Sequence, residues 1–177
     1  KQRMLSTRML IMLPILLLFI PGMAWGFADP NIQLPAEQLP TNGTEVMFLA
    51  SIGIVFAGTM AAVLIAHDGI SRDRASGVLE LRLSQPMPRW RQGVVLMVGH
   101  WSSIALPVAV LLVASMMLVG YRSGMWMPLS DALIYIVAAM LILLWYTVFA
   151  LLASSIAKEQ GSALSLIHIS EPTRQSL

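Results

Sequence analysis

Four long stretches of the chain lack Asp, Glu, Lys and Arg altogether: Met9 to Phe27, Val46 to Ala66, Gly93 to Gly120 and Ala132 to Ala157, with 19, 21, 28 and 26 residues. At a rise of about 1.5 Å per residue each can cross a hydrocarbon core of about 30 Å, the two longest with tilt or by reaching into the headgroups. The pattern therefore predicts an all-α, polytopic membrane helix bundle with spans over about 9–27, 46–66, 93–120 and 132–157. The first stretch also has the outline of a signal peptide, since Lys1, Arg3 and Arg8 precede its apolar core. No clean small-x-small cleavage site precedes Asp29, which favours a retained span. Inside the spans, Pro14, Pro21 and Pro107 are expected to kink their helices. Gly53, Ala57 and Ala61 recur every four residues, a small-residue stripe that lets helices approach closely.

The connections set the threading. Lys and Arg collect on the cytoplasmic side of membrane proteins. Lys1, Arg3 and Arg8, then Arg72, Arg74, Arg82, Arg89 and Arg91, then Lys158 and Arg174 all fall on one side, while Asp29, Glu37, Glu45 and Arg122 fall on the other. Both termini are thus expected in the cytoplasm, and the protein in the cell's inner (plasma) membrane as a multi-pass chain. Trp25, Tyr121, Trp126 and Tyr135 fit the outer interface and Trp90 the inner one. Trp145 and Tyr146 are mid-helix and are expected to face protein. The outer loop carries Pro30, Pro35 and Pro40 and the pair Asn42-Gly43, which predict an extended, turning path. Asn42-Gly43-Thr44 also matches a glycosylation acceptor, but the turn reading is preferred.

Composition supports a membrane protein. Hydrophobic residues make up 57% and charged residues 11% of the 177, against about 45–50% and roughly 25% in soluble domains. No cysteine is present, which excludes disulfides, thiolate zinc sites and cysteine nucleophiles. The chain has no H-E-x-x-H, G-x-S-x-G or G-x-x-x-x-G-K-[ST] motif and no pair of aspartates within a span, so it is not read as an enzyme. His100 is the one histidine within a span and reads as an interfacial or bundle-facing residue rather than a proton relay. Met125-x-Met127 could offer thioethers to Cu(I), but flexible apolar packing is the better reading.

Chemistry concentrates in the connection His67 to Gln92, whose 26 residues hold eight of the twenty charged side chains. Leu79, Leu81 and Leu83 alternate like a strand, whereas Leu79, Leu83 and Met87 repeat every four. An open strand edge at a membrane surface would leave backbone unpaired, and Pro86 and Pro88 form a stop suited to a short helix. An amphipathic helix is expected over about Ser76 to Ser84. It could lie against lipid headgroups or meet a protein, and its mixed charge fits a protein better.

The run Arg72-Asp73-Arg74-Ala75-Ser76-Gly77-Val78-Leu79-Glu80-Leu81-Arg82-Leu83-Ser84-Gln85-Pro86-Met87-Pro88-Arg89-Trp90 strongly resembles the acidic-Arg-x-x-Gly-Thr-Leu-Glu-x-x-Leu-x-x-Pro-x-x-Arg segment of ABC-2 type transporter permeases. The branch that includes the permease of nitrous-oxide-reductase maturation is especially similar. The likeness runs from about Val46 to Ala163. Val78 stands where Thr is usual, and His100 where the family commonly has Lys, which puts any contact of that Lys in doubt. The resemblance implies a permease subunit that moves substrate using ATP hydrolysed by a separate ATPase. The coupling segment 67–92 would dock on that ATPase through Arg72, Asp73, Arg74, Gly77, Leu79, Glu80 and Pro86. It also implies ATP and Mg²⁺ in the partner and no cofactor in this chain, a second permease copy or homologue, the lipid bilayer, and no nucleic acid. A membrane anchor or assembly factor that recruits a cytoplasmic protein through segment 67–92, without transport, is the alternative. Six spans are implied and four are present in 1–163. Residues 164–177 resemble translated sequencing adapter, which would make His168 foreign, and the start at Lys1 suggests a truncated front.

Overall fold

The computed structural model describes residues 7–156 apart from 33, 34, 36–38, 68, 85 and 87. The tail 164–177 and the terminal basic residues Lys1, Arg3, Lys158 and Arg174 lie outside the described residues. Among the described residues all regular structure is helical: α1 (Thr7–Phe27), α2 (Gly43–Gly53), a π-helical turn (Ile54–Gly58), α3 (Thr59–Ala66), α4 (Gly69–Ala75), α5 (Val78–Leu83), α6 (Arg89–Ser123) and α7 (Leu129–Ile156). Four candidate spans result, with α2, the π turn and α3 forming the second. This is the expected all-α polytopic bundle.

Helix boundaries reach beyond the charge-free stretches, because a helix continues through the headgroup zone where charge is tolerated. The second span starts at Gly43 because Asn42 caps it: its side-chain oxygen accepts the Glu45 amide at 2.9 Å. The Glu45 carboxylate reaches back to the Thr41 amide and hydroxyl at 2.5 and 3.0 Å. This resembles a capping box, with the Glu45 carboxylate turned to Thr41, the residue before the cap. Asn42 therefore opens a helix, where the Asn-Gly pair predicted a turn. Similarly, α6 begins at Arg89 directly after Pro88 and places Arg89 and Arg91 in its first turn instead of in the connection.

The core uses one stripe from each span: Leu16 and Ile20 of α1, Ala57 and Ala61 of the second span, Ile104, Val108 and Leu112 of α6, and Ala139 and Leu143 of α7. Large apolar side chains on the opposite faces are exposed, as expected of surface facing lipid tails. The small-residue stripe packs as predicted. A Cβ at Gly53 would collide with the Phe19 carbonyl, so glycine is what lets α2 reach the α1 backbone. A four-residue repeat overshoots an α turn by about 40°, and the wider π turn takes up part of that drift. Gly53, Ala57 and Ala61 all remain buried. In α7 the inward face is Ala139, Leu143, Thr147, Ala150 and Ser154. That periodicity leaves Trp145 and Tyr146 on the outer face, 65% and 41% exposed, so the expectation that they face protein fails within this chain.

The end opposite the arginine-rich connection is cross-linked by polar contacts. Arg122 meets Asp29 at 2.5 Å, donates to the Trp25 carbonyl at 3.1 Å and lies 3.9 Å over the Trp25 ring. Thr44 donates to Asp131 at 2.8 Å, and the Tyr135 hydroxyl to the Met47 carbonyl at 2.8 Å. Met127 packs on the nearby core of Ala24, Val46 and Val119, which supports apolar packing over a copper ligand.

Candidate functional site

The helix expected over about Ser76 to Ser84 is α5, Val78–Leu83, and a second short helix, α4, precedes it across Gly77. Gly77 adopts φ +72°, in the left-handed region that favours glycine, and ends α4 with its amide on the Arg74 carbonyl at 3.1 Å. The Leu81 amide then returns to the Gly77 carbonyl at 3.3 Å to start α5. Gly77→Ala is expected to cost about 1–2 kcal/mol. Hydrogen exchange should show it as faster exchange of the amides of 78–83 with the spans unchanged, while Gly77→Asn, which tolerates this conformation, should cost less.

α4 is anchored to the bundle at three points. Its first residue, Gly69, packs on His100 so closely that a Cβ would lie 2.7 Å from the imidazole Nε2. The Ile70 and Ser71 amides both donate to the Ser154 hydroxyl of α7 at 3.2 Å. Near its end, Arg74 donates to the Ser155 carbonyl at 3.2 Å, satisfying a carbonyl in the last turn of α7. His100 is buried, with Nδ1 2.8 Å from the Leu96 carbonyl, and faces the bundle as predicted.

The seven residues singled out from sequence thus divide in two. Asp73 is buried at 7% exposure, Arg74 is tied to α7, and Gly77 sets the angle between the two short helices. Arg72, Glu80 and Pro86 are exposed, and Leu79 is half-buried. Leu81 is 68% exposed beside Glu80, so α5 displays an apolar and an acidic group together. Sequence reasoning did not single out Ser154 and missed α4 as a separate element. Among the described residues no group of three or more His, Cys, Asp or Glu could hold a metal.

One half of the segment, α4, is packed on α6 and α7, and the other, α5, is turned outward. A family model described as ABC-2 family transporter protein matches residues 2–168, a range that includes every helix above and runs past residue 164. No curated protein and no solved structure matches the chain.

Proposed function

The chain belongs to the ABC-2 transporter family, and from that membership we propose that it is the permease subunit whose α4–α5 segment couples a separate ATPase to the membrane bundle. The observation that carries the reading is the division of labour in that segment: α4 is fixed to α6 and α7 by Gly69, Ser154 and Arg74, while α5 presents Glu80 and Leu81 outward. ATP and Mg²⁺ belong to the partner and supply the free energy there. In this chain, Arg72, Leu79, Glu80 and Pro86 form the contact, and Asp73, Arg74 and Gly77 hold it at a fixed angle. A push on α5 passes through Gly77 into α4 and, through Ser154 and Ser155, into the end of α7. The bundle then moves as packed bodies between two arrangements, which is the basis of alternating access. The reading places the arginine-rich end in the cytoplasm of a cell whose inner membrane holds the protein, beside a second permease copy or homologue. The likeness of segment 72–90 extends the proposal to the branch that includes the permease of nitrous-oxide-reductase maturation.

The test is co-purification with an ABC ATPase, sought as the product of a neighbouring reading frame. Glu80→Arg combined with Leu81→Asp reverses the charge and removes the apolar group on α5. It should lower ATPase recovery by roughly tenfold or more, as loss of an interface anchor does, with thermal unfolding of the bundle unchanged. Unchanged recovery would overturn the coupling role. An ATPase that binds but hydrolyses ATP at the same rate with and without the permease would favour a membrane anchor without transport.

A further inference from the structure

Between α4, α6 and α7 lies an apolar slot of about 190 Å³, lined by Ile70, Gly93, Leu96, Met97, Leu151 and Ser155 among others. Ser155 brings the one hydroxyl among these six residues, and it is spent on the Leu152 carbonyl at 2.7 Å. A slot with so little polar lining has no groups to hold water and suits an apolar guest. Nothing lies within 4 Å of where a Cβ of Gly93 would stand, so the wall is open at that point. The slot sits within the first turns of α6 and the last turns of α7, and the apolar lengths of these two spans put their ends at the depth where acyl chains meet headgroups.

Two arginines flank this slot on its charged side. Residues four apart on a helix share a face. Arg74 stands four residues beyond Ile70 on α4, and its guanidinium reaches Ser155 at the edge of the slot. Arg89 stands four residues before Gly93 on α6 and is exposed. Each is therefore about one helical turn from a lining residue, displaced toward the arginine-rich end. Guanidinium groups grip phosphate oxygens through paired hydrogen bonds. An apolar slot with the Arg74 guanidinium at its edge and Arg89 one turn from Gly93 on the same helix face combines the two features that a lipid with an anionic headgroup needs.

We propose that the slot is a binding site for an anionic phospholipid of the leaflet at the arginine-rich end, with one acyl chain against Gly93, Leu96 and Leu151 and the phosphate held by Arg74 and Arg89. The bound lipid would fill the space beside α4 and brace it against α6 and α7. The inference requires only that the chain spans a membrane and does not depend on an ATPase partner.

Native mass spectrometry of the full chain in detergent, supplied with phosphatidylglycerol or phosphatidylcholine, tests it. The native sequence should retain phosphatidylglycerol about tenfold better than phosphatidylcholine. Arg74→Gln with Arg89→Gln should abolish that preference, and Gly93→Phe should reduce retention of both lipids by filling the slot. Equal retention of the two lipids by the native sequence, or an undiminished preference in the double arginine variant, would overturn the proposal. Arg89 is exposed and lies outside the anchor of α4, so Arg89→Gln alone should lower the preference at least about threefold, and an unchanged preference in that single variant would overturn the proposal even if the changes at 74 or 93 disturb α4. A folded Gly93→Phe protein that binds phosphatidylglycerol as well as the native one would also overturn it.

Discussion

Gly53→Leu is expected to destabilise the bundle by about 3 kcal/mol or more, the upper range for overpacking a tight interface. A Cβ at this position already meets the Phe19 carbonyl, and backbone cannot rotate away as a side chain can. The substitution must therefore push α1 from α2, opening the contact of Leu16 and Ile20 with Ile54 and Ala57 in the same core. In lipid this matters more than in water, since no hydrophobic force returns the separated helices and only packing and polar contacts hold them. Gly22→Leu is the matched control, because nothing lies within 4 Å of a Cβ there and the residue is exposed. It should change stability by less than about 0.5 kcal/mol. Reversible unfolding in mixed detergent micelles would measure both, and similar effects at the two glycines would refute this account of the interface.

How much of the molecule could be read from its sequence follows from where each feature gets its stability. The four spans were legible because length and absence of charge suffice in a membrane, and no tertiary contact has to be known. Their ends were less so. Arg89 and Arg91 sit in a helix that continues past the charge-free run, and Asn42 with Glu45 forms a cap whose Asn-x-x-Glu spacing was on view but was masked by the turn signal of Asn-Gly. The stripe of Gly53, Ala57 and Ala61 was legible because it is periodic. α4 was not. Its seven residues Gly-Ile-Ser-Arg-Asp-Arg-Ala carry no clear period, and its start is held by a hydroxyl 83 to 84 residues away. The orientation of Trp145 and Tyr146 was missed for a related reason: which face of an all-apolar helix turns inward depends on its neighbours. For the seven candidate residues, spacing and resemblance supplied the positions but not which are packed on the bundle and which are displayed, because that depends on contacts with α6 and α7.

That division makes Ser154 the position where a small change should have the largest effect on transmission. Ser154 is 1% exposed and its single oxygen accepts two amides at the start of α4. Ser154→Val removes the shared acceptor and has the same shape as Ser154→Thr, which keeps it, so the two variants differ by the hydroxyl and not by bulk. A buried donor deprived of its partner costs roughly 1–3 kcal/mol, so a loss of about 2–3 kcal/mol is expected, localised where α4 meets α7. Hydrogen exchange should show amides 69–75 losing protection while the middles of α1 and α6 keep theirs. Ser154→Thr retains the hydroxyl and should restore protection, which a purely steric role for the residue would not allow. If α4 carries motion from α5 into the bundle, the valine variant should still bind the ATPase through α5 yet lose the stimulation of ATP hydrolysis by transport substrate, and the threonine variant should recover it. Loss of binding and stimulation together would instead place Ser154 in the general stability of the segment. Unchanged protection of 69–75 would show that Gly69 on His100 and Arg74 on Ser155 hold α4 without it.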